Sequence, residues 1–372
     1  MLMRTSEQSP LRVARTAAEI RGWIVEQVAQ SLKVYDSEVD PAAPLDSLGI
    51  DSLTAIGMTG GLAAYLGRDV PATLMWDYAT INAIAEGLAD PEASRQAAAR
   101  RGIVNLQPLG DRTPIFFFPG LGGHPVTFNH VASHLGTSQP CYGLTVPGFD
   151  GDEQPLTSVE EIATVMVQTL RSVQPEGPYR LAGYSFGGFL AYEAARQLTA
   201  AGQTVDTLAI YDTFAPDGRV SRPLWQRLAL HGYLFLTRRN RMAYLADRFH
   251  QLASARKRKK ASAANRALAQ NDQSSSDPLP EEKLKLILDL NQQAVNRYRP
   301  LPYPGSLVMF LANVRPEYNR FYKIDPHGGW AALCGGQVRV IPLDGDHFTL
   351  LDADHAAYAA EMLKTCLADF DH

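Results

Sequence analysis

Hydrophobic positions in the first 90 residues recur at helical spacing. Apolar side chains at positions 20, 24, 28 and 32 share one face, which predicts a helix over 17–32. A turn-rich stretch follows, and two further helical patterns cover 52–66 and 80–88. None of this region alternates as a strand would. The pattern predicts a small helical bundle with a long first loop.

From residue 113 onward, short apolar runs are bounded by turn residues and separated by helical patterns. The predicted strands are Ile115–Phe118, Cys141–Val146, Tyr179–Ala182, Thr207–Tyr211, Leu307–Leu311 and Val338–Leu343. Strands that alternate with helices predict an α/β domain built on a mostly parallel, doubly wound sheet.

Residues 217–300 interrupt this alternation, because they contain helical patterns and no predicted strand. The expected helices cover 224–235, 242–252 and 281–298. An insertion of this size in a parallel-sheet domain often forms a lid over the active site, although a solvated helical insertion without a gating role has the same pattern.

The composition predicts a soluble globular protein. The 372 residues are 45% hydrophobic and 20% charged, which allows two or three domains and excludes wholesale disorder. A net charge of −4 argues against a nucleic-acid binder, and no apolar run is long enough to span a membrane. The 3 cysteines form no CxxC pair and the N-terminus has no apolar signal segment, so we expect a cytoplasmic protein without disulfides or a metal site.

Ser52 lies where a loop becomes a helix, in the segment LGIDSL that begins at Leu48. The start of a helix offers unpaired N–H groups and the positive end of the helix dipole, and both suit a phosphate bound to the serine. A plain helix cap has the same residues.

A second serine, Ser185, lies in the pentapeptide GYSFG between a predicted strand and a predicted helix. A tight strand–serine–helix turn exposes the hydroxyl at the edge of the sheet, where it can act as a nucleophile. A glycine-rich turn without chemistry is the alternative interpretation.

A serine nucleophile requires a base, and the base requires a carboxylate that orients it. His347 follows the last predicted strand, on a loop at the edge of the sheet where catalytic loops gather, and His355 is the second choice. Asp212 directly follows another predicted strand. Asp344 and Asp346 adjoin His347, but so near a neighbour is seldom the orienting acid. We therefore predict His347 as base and Asp212 as its partner.

The tetrahedral intermediate of acyl transfer needs N–H donors for its oxyanion. The segment FPGLGG at 118–123 follows an apolar strand, and its glycines allow a close approach of the backbone. The expected donors are the N–H groups of Leu121 and Phe186, with Gly122 as an alternative to Leu121. A flexible loop without this role is the other interpretation.

The segment PLDSLGIDSL and the helices after it resemble acyl carrier protein domains over residues 15–90. The resemblance implies that Ser52 carries a covalent 4′-phosphopantetheine, attached by a phosphopantetheinyl transferase. One departure is the set of glycines in the helix after Ser52, at Gly57, Gly60 and Gly61. Each mid-helix glycine costs about 0.5–1 kcal/mol relative to alanine, so this helix is either weak or closely packed against a partner.

Residues 113–372 resemble the thioesterase domains that end polyketide and nonribosomal peptide synthases. The matching segments include FFFPGLGG, LAGYSFGGFLAYEAARQL, IYDTFAP and GDHFTLL. The resemblance implies an α/β-hydrolase fold in which Ser185 is the nucleophile, Asp212 the orienting acid and His347 the base. It also implies that 217–300 is the lid. We predict a carrier domain at 15–90, a linker at 91–112 that leads into a short strand, and a thioesterase domain at 113–372.

The two resemblances together imply a function. An acyl chain supplied by upstream synthase or acyl-loading enzymes would be held as a thioester on the arm of Ser52. It would be released through an acyl-Ser185 intermediate, by hydrolysis or intramolecular cyclisation, in polyketide or related natural-product biosynthesis. Two alternatives remain: an acyltransferase or cyclase that passes the acyl group to a nucleophile other than water, and a non-catalytic carrier or docking module.

Charge is distributed unevenly between the two predicted domains. Residues 1–89 contain 6 basic and 11 acidic residues, whereas residues 217–266 contain 13 basic and 2 acidic residues. The basic insertion, and above all the run RKRKK at 256–260, either faces the acidic carrier or its phosphate, or is a solvated surface.

Overall fold

The computed structural model describes most of the two predicted domains. The described residues are 15–89, 102–149, 155–230 and 280–368, apart from positions 44, 49–51, 69, 71–73, 75–77, 79, 228 and 316. The helix predicted at 242–252 and the basic run at 256–260 lie outside the described residues.

The N-terminal region contains the three expected helices. They are α1 (Ala17–Leu32), α2 (Ser52–Leu66) and α3 (Ile81–Ala89). Helix α1 begins at a capping box, in which the Thr16 hydroxyl accepts the N–H of Glu19 and the Glu19 carboxylate accepts the N–H of Thr16. In the apolar stripe of α1, which packs against α3, Ile20, Ile24 and Val28 are fully buried and Leu32 is partly buried, which confirms the predicted helix.

The glycines of α2 have different surroundings. A Cβ added at Gly61 would lie 3.1 Å from the indole of Trp23, whereas Gly57 has open space around it. Trp23 also stacks on Tyr65, with ring centroids 5.4 Å apart. Gly61 therefore lets α2 approach α1 closely within the bundle.

Nine strands are described in the C-terminal region. They are β1 (Ile103–Gln107), β2 (Ile115–Phe118), β3 (Cys141–Leu144), β4 (Tyr179–Tyr184), β5 (Val205–Tyr211), β6 (Arg219–Ser221), β7 (Leu307–Ala312), β8 (Tyr322–Ile324) and β9 (Val338–Leu343). Seven of them form one sheet in the order β1-β3-β2-β4-β5-β7-β9. Strand β1 pairs antiparallel with β3, and the other neighbours pair in parallel. The carboxyl ends of the parallel strands therefore meet at one edge.

Helices cover both faces of this sheet. They are α4 (Asn129–Leu135), α5 (Val159–Val173), α6 (Phe186–Ala200), α7 (Pro280–Arg297) and α8 (Ala356–Ala368). Helices α4 and α8 share one buried core with the sheet, and α5, α6 and α7 share the other. Burial on both faces explains why β2 reads as the unbroken apolar run IFFF.

The inserted region departs from the prediction in one respect. The expectation of no strand in 217–300 is wrong, because β6 lies there and pairs antiparallel with β8 in a separate two-stranded sheet. Three residues, two of them exposed, give no apolar run that a pattern could reveal. The helix expected at 281–298 is confirmed as α7, which contacts both α6 and the N-terminal helix α2.

Among the helices in the described residues, none combines the length and the apolarity needed to cross a membrane.

Candidate active site

The turn between β4 and α6 holds Ser185 in a strained backbone conformation. Its φ is 55° and its ψ is −111°, a combination that side chains disfavour. The flanking glycines allow this turn, because a Cβ at Gly183 would overlap the carbonyl of Gly187, and one at Gly187 would overlap the carbonyl of Phe118. The Thr213 hydroxyl donates to the Ser185 carbonyl at 2.9 Å. The serine is thus fixed at the carboxyl edge of the sheet.

The structure brings Ser185, His347 and Asp212 into one chain of hydrogen bonds. The Nε2 of His347 lies 3.1 Å from Ser185 Oγ, and its Nδ1 lies 2.7 Å from Asp212 Oδ2. If Nδ1 carries the proton and donates it to the carboxylate, Nε2 is free to accept the serine proton. The geometry is that of a serine paired with a general base.

The carboxylate of Asp212 is buried and held from several sides. Its side chain is 3% exposed, and its Oδ1 accepts the N–H of Ala312 at 3.3 Å. The Arg315 guanidinium lies 3.6 Å from the same oxygen. The backbone N–H of Asp212 donates to the Phe310 carbonyl at 2.8 Å. These contacts leave Oδ2 for His347.

Tyr184, a residue that the sequence reasoning did not single out, supports His347. Its ring stacks on the imidazole with centroids 5.2 Å apart, and its hydroxyl donates to the His347 carbonyl at 2.6 Å. Burial, with a smaller contribution from the charge of Asp212, raises the pKa of the Tyr184 phenol above its usual value. The hydroxyl therefore remains a donor. The sequence signal that could have pointed to Tyr184 was its position in the pentapeptide, directly before Ser185.

The alternative acids and the alternative base form hydrogen bonds with groups outside the Ser185–His347–Asp212 chain. Asp344 accepts a hydrogen bond from the Asn313 amide at 2.6 Å. Asp346 accepts the N–H groups of Phe348 and Thr349, and the first of these bonds is the main cause that lowers its pKa. The second-choice base, His355, has its Nδ1 2.8 Å from Asp352.

A cavity of about 560 Å³ opens onto Ser185 and His347. Leu121 and Phe186 both line it, whereas the described residue Gly122 does not. Phe186 is the first residue of α6, where backbone N–H groups have no partner within the helix. The two expected oxyanion donors thus belong to residues that line the same cavity as Ser185.

A second residue that sequence reasoning missed is Asn291 of α7. It is 3% exposed, and its Nδ2 donates to the Leu121 carbonyl at 2.8 Å. Ile287 and Ala294 are buried on the same face of the helix, and Tyr298, which directly follows the helix, is also buried. A lone amide in such an apolar stripe is the signal that could have been noticed, because a buried polar group requires a partner.

Ser52 is the first residue of α2. A phosphate attached there would lie at the N-terminus of a helix of 15 residues, close to unpaired N–H groups and the positive end of the dipole. The local backbone therefore fits a phosphopantetheine group. Asp51, the preceding residue, lies outside the described residues.

The strand order and the serine turn after β4 define an α/β-hydrolase fold. The chain belongs to the thioesterase domain family, whose family model matches residues 113–367. A second family model, the phosphopantetheine attachment site, matches residues 22–88. The chain thus combines a phosphopantetheine-binding carrier domain with a thioesterase domain.

The relatives of this chain include nonribosomal peptide and polyketide synthases. The indigoidine synthase of Dickeya dadantii is 35% identical over 47% of this chain and 11% of its own length. The nonribosomal peptide synthetase btyA of Aspergillus terreus is 26% identical over 90% of this chain and 36% of its own length. The orsellinic acid synthase of Emericella nidulans is 26% identical over 91% of this chain and 16% of its own length. This chain therefore spans about a third or less of each of these relatives.

Among solved structures, the chain is similar to a four-domain nonribosomal peptide synthetase crystallised with AMP and glycine. The TM-score is 0.53 at 21% identity, over 98% of this chain and 27% of the other. This likeness concerns the fold.

Proposed function

We propose that this chain releases an acyl group from its own carrier domain by serine catalysis. The observation that carries the proposal is the continuous hydrogen-bond chain from Ser185 through His347 to Asp212, which faces a cavity large enough for an acyl chain. Ser185 is the nucleophile, His347 the general base and Asp212 the group that orients it.

The reaction follows from these positions. His347 Nε2 removes the proton from Ser185 Oγ as the oxygen attacks the thioester carbonyl, and the N–H groups of Leu121 and Phe186 stabilise the oxyanion. The carbon–sulfur bond then breaks, and His347 delivers the proton to the departing sulfur. Water, activated by His347, cleaves the acyl-Ser185 ester and regenerates the serine. A hydroxyl or amine of the acyl chain itself would give a ring instead.

Ser52 is the proposed attachment site of phosphopantetheine, which supplies the thiol that carries the acyl chain. A phosphopantetheinyl transferase would install the group, and upstream synthase modules would supply the acyl chain. Because carrier and hydrolase share one chain, their encounter is intramolecular and has a high effective concentration. The contact between α2, which begins at Ser52, and α7, which lines the cavity, supports this route.

Direct loading tests this proposal. A promiscuous phosphopantetheinyl transferase and an acyl-coenzyme A would place an acyl-phosphopantetheine on Ser52, and the intact mass would be followed over time. We expect the mass to rise by the acyl-phosphopantetheine and then fall by the acyl group, with release of free acid or of a ring lighter by one water. Ser52→Ala should show no gain. An acyl group that stays on the wild-type chain for hours would overturn the proposal.

Asn291 gives a further prediction. Replacement by leucine removes the hydrogen bond to the Leu121 carbonyl. The loop at 118–123 that carries the Leu121 N–H, here called the oxyanion loop, can then shift, so kcat should fall by about tenfold while KM changes little. Steady-state hydrolysis of a soluble acyl thioester measures both constants.

The matched control for this change is Asp289→Asn, on the exposed side of the same helix. Thermal unfolding shows whether the Asn291→Leu variant is folded. A loss that appears only in KM, or an equal loss in the control, would argue that Asn291 does not position the oxyanion loop.

A further inference from the structure

Three arginines line the cavity at Ser185. Arg219 comes from β6, Arg299 from the residues after α7, and Arg315 from the loop after β7. The three arginines therefore reach the cavity from three separate segments of the chain, whereas the charged side chains of a solvated helix face come from a single element. The carboxylates among the described lining residues are Asp212 and Asp346.

Neither carboxylate neutralises Arg219 or Arg299 in the described hydrogen bonds and ion pairs. Asp212 binds His347 and Arg315. Asp346 accepts backbone N–H groups and the Thr349 hydroxyl of its own loop. Among the described lining residues, the positive charges of Arg219 and Arg299 are therefore not paired with a carboxylate.

The guanidinium of Arg219 lies over an aromatic ring. Its guanidinium carbon lies 3.8 Å from the centroid of Phe214, and Arg315 lies 5.2 Å from the same centroid. The Nε of Arg219 is buried and has no hydrogen-bond partner. Because this Nε has almost no exposed surface, the terminal N–H groups of Arg219 are the donors that can reach a ligand in the cavity. Stacking on the ring leaves the edge of the guanidinium, with its terminal N–H groups, free to donate to a ligand oxygen.

Arg299 lines the same cavity. Its described hydrogen bonds run through Nη1, to the carbonyls of Asn296 and Tyr298. These bonds fix the guanidinium beside the cavity, and its remaining donors can serve a ligand. Two guanidinium groups that line one cavity favour a planar anion such as a carboxylate, which accepts paired hydrogen bonds.

We propose that the acyl chain handled by this thioesterase bears a carboxylate at a distance from the thioester, and that Arg219 and Arg299 bind it. This inference rests on the proposed function, because it assigns the substrate class of the same cavity. The binding would hold the chain in one orientation with its thioester carbonyl at Ser185.

Matched pairs of soluble substrates test the inference. N-acetylcysteamine thioesters of a dicarboxylic acid and of its monomethyl ester differ in the remote charge and by one methyl group, and thiol release gives kcat/KM for each. We expect the wild-type protein to prefer the free acid by about tenfold, and the preference to shrink at high salt. Equal rates, or faster hydrolysis of the ester, would overturn the inference and leave the proposed function intact. Failure to hydrolyse either thioester would count against the proposed function itself.

Variants then identify the groups responsible. The double change Arg219→Gln and Arg299→Gln should bring the preference close to one, whereas Arg171→Gln, on the exposed face of α5, should preserve it. A preference that survives the double change would refute the assignment of these arginines.

The phosphate of the pantetheine arm is the other possible anion. N-acetylcysteamine substrates lack it, so their comparison reports the acyl side alone. A neutral acyl chain on phosphopantetheine is then compared with the same chain on N-acetylcysteamine. If the double change abolishes a preference for the phosphate-bearing thioester and wild type shows none for the free acid, the arginines bind phosphate and the inference is wrong.

Discussion

Replacement of Ser185 by alanine is expected to abolish release of the acyl chain and leave its attachment at Ser52 intact. The hydroxyl is the proposed nucleophile, and its loss should lower the release rate by about 10⁴-fold or more. After loading with a phosphopantetheinyl transferase and an acyl-coenzyme A, the variant should keep the full acyl-phosphopantetheine mass. The wild-type chain should lose the acyl part within minutes.

The strained turn makes a folding control necessary. Alanine has to adopt the same positive φ of 55° as the serine it replaces, so thermal unfolding of the variant is measured beside the wild type. Ser172→Ala is the matched control, because Ser172 is exposed and donates only to the Thr169 carbonyl in the described contacts. Acyl release that continues at the wild-type rate in a folded Ser185→Ala chain would refute the assigned nucleophile.

The regular elements could be predicted because each has a strong local pattern. The helix over 17–32 has one apolar face, and the strand at 115–118 is an unbroken apolar run. The order of the strands could not be predicted in the same way. It depends on which strands pair across long stretches of chain, and nothing in the run at 103–107 shows that β1 pairs antiparallel with β3.

The same distinction applies to the candidate site, where some residues could be predicted from local sequence and others could not. Ser185, Asp212 and His347 could be named because each follows a predicted strand, and parallel strands bring their carboxyl ends to one edge. Arg315 and Asn291 act across 100 or more residues of sequence, on the Asp212 carboxylate and the Leu121 carbonyl. Such contacts depend on the packing of separate segments, so no spacing in the sequence reveals them.

Replacement of Asp212 by asparagine should lower kcat by about 10⁴-fold near neutral pH without unfolding the domain. The direction follows from the hydrogen bonds around the carboxylate. Oδ1 accepts the N–H of Ala312 and lies near Arg315, so the oxygen of the new amide will take that position. Its NH₂ group then faces His347 Nδ1 and donates to it. His347 must carry its proton on Nε2 and can no longer accept one from Ser185.

A matched control variant and a single-turnover measurement test this prediction. Asp344→Asn changes one of the two other carboxylates that the sequence offered. Asp344 binds the Asn313 side chain and lies outside the hydrogen-bond chain of Ser185, so the kcat of this variant should stay within about twofold of wild type. The two variants have the same change in charge, and any difference between them reports position. Single-turnover acylation of Ser185 with a chromogenic thioester isolates the step that needs the base. A larger loss of the acylation rate in Asp344→Asn than in Asp212→Asn would assign the orienting role to the loop of His347. It would also contradict the predicted change of the His347 tautomer.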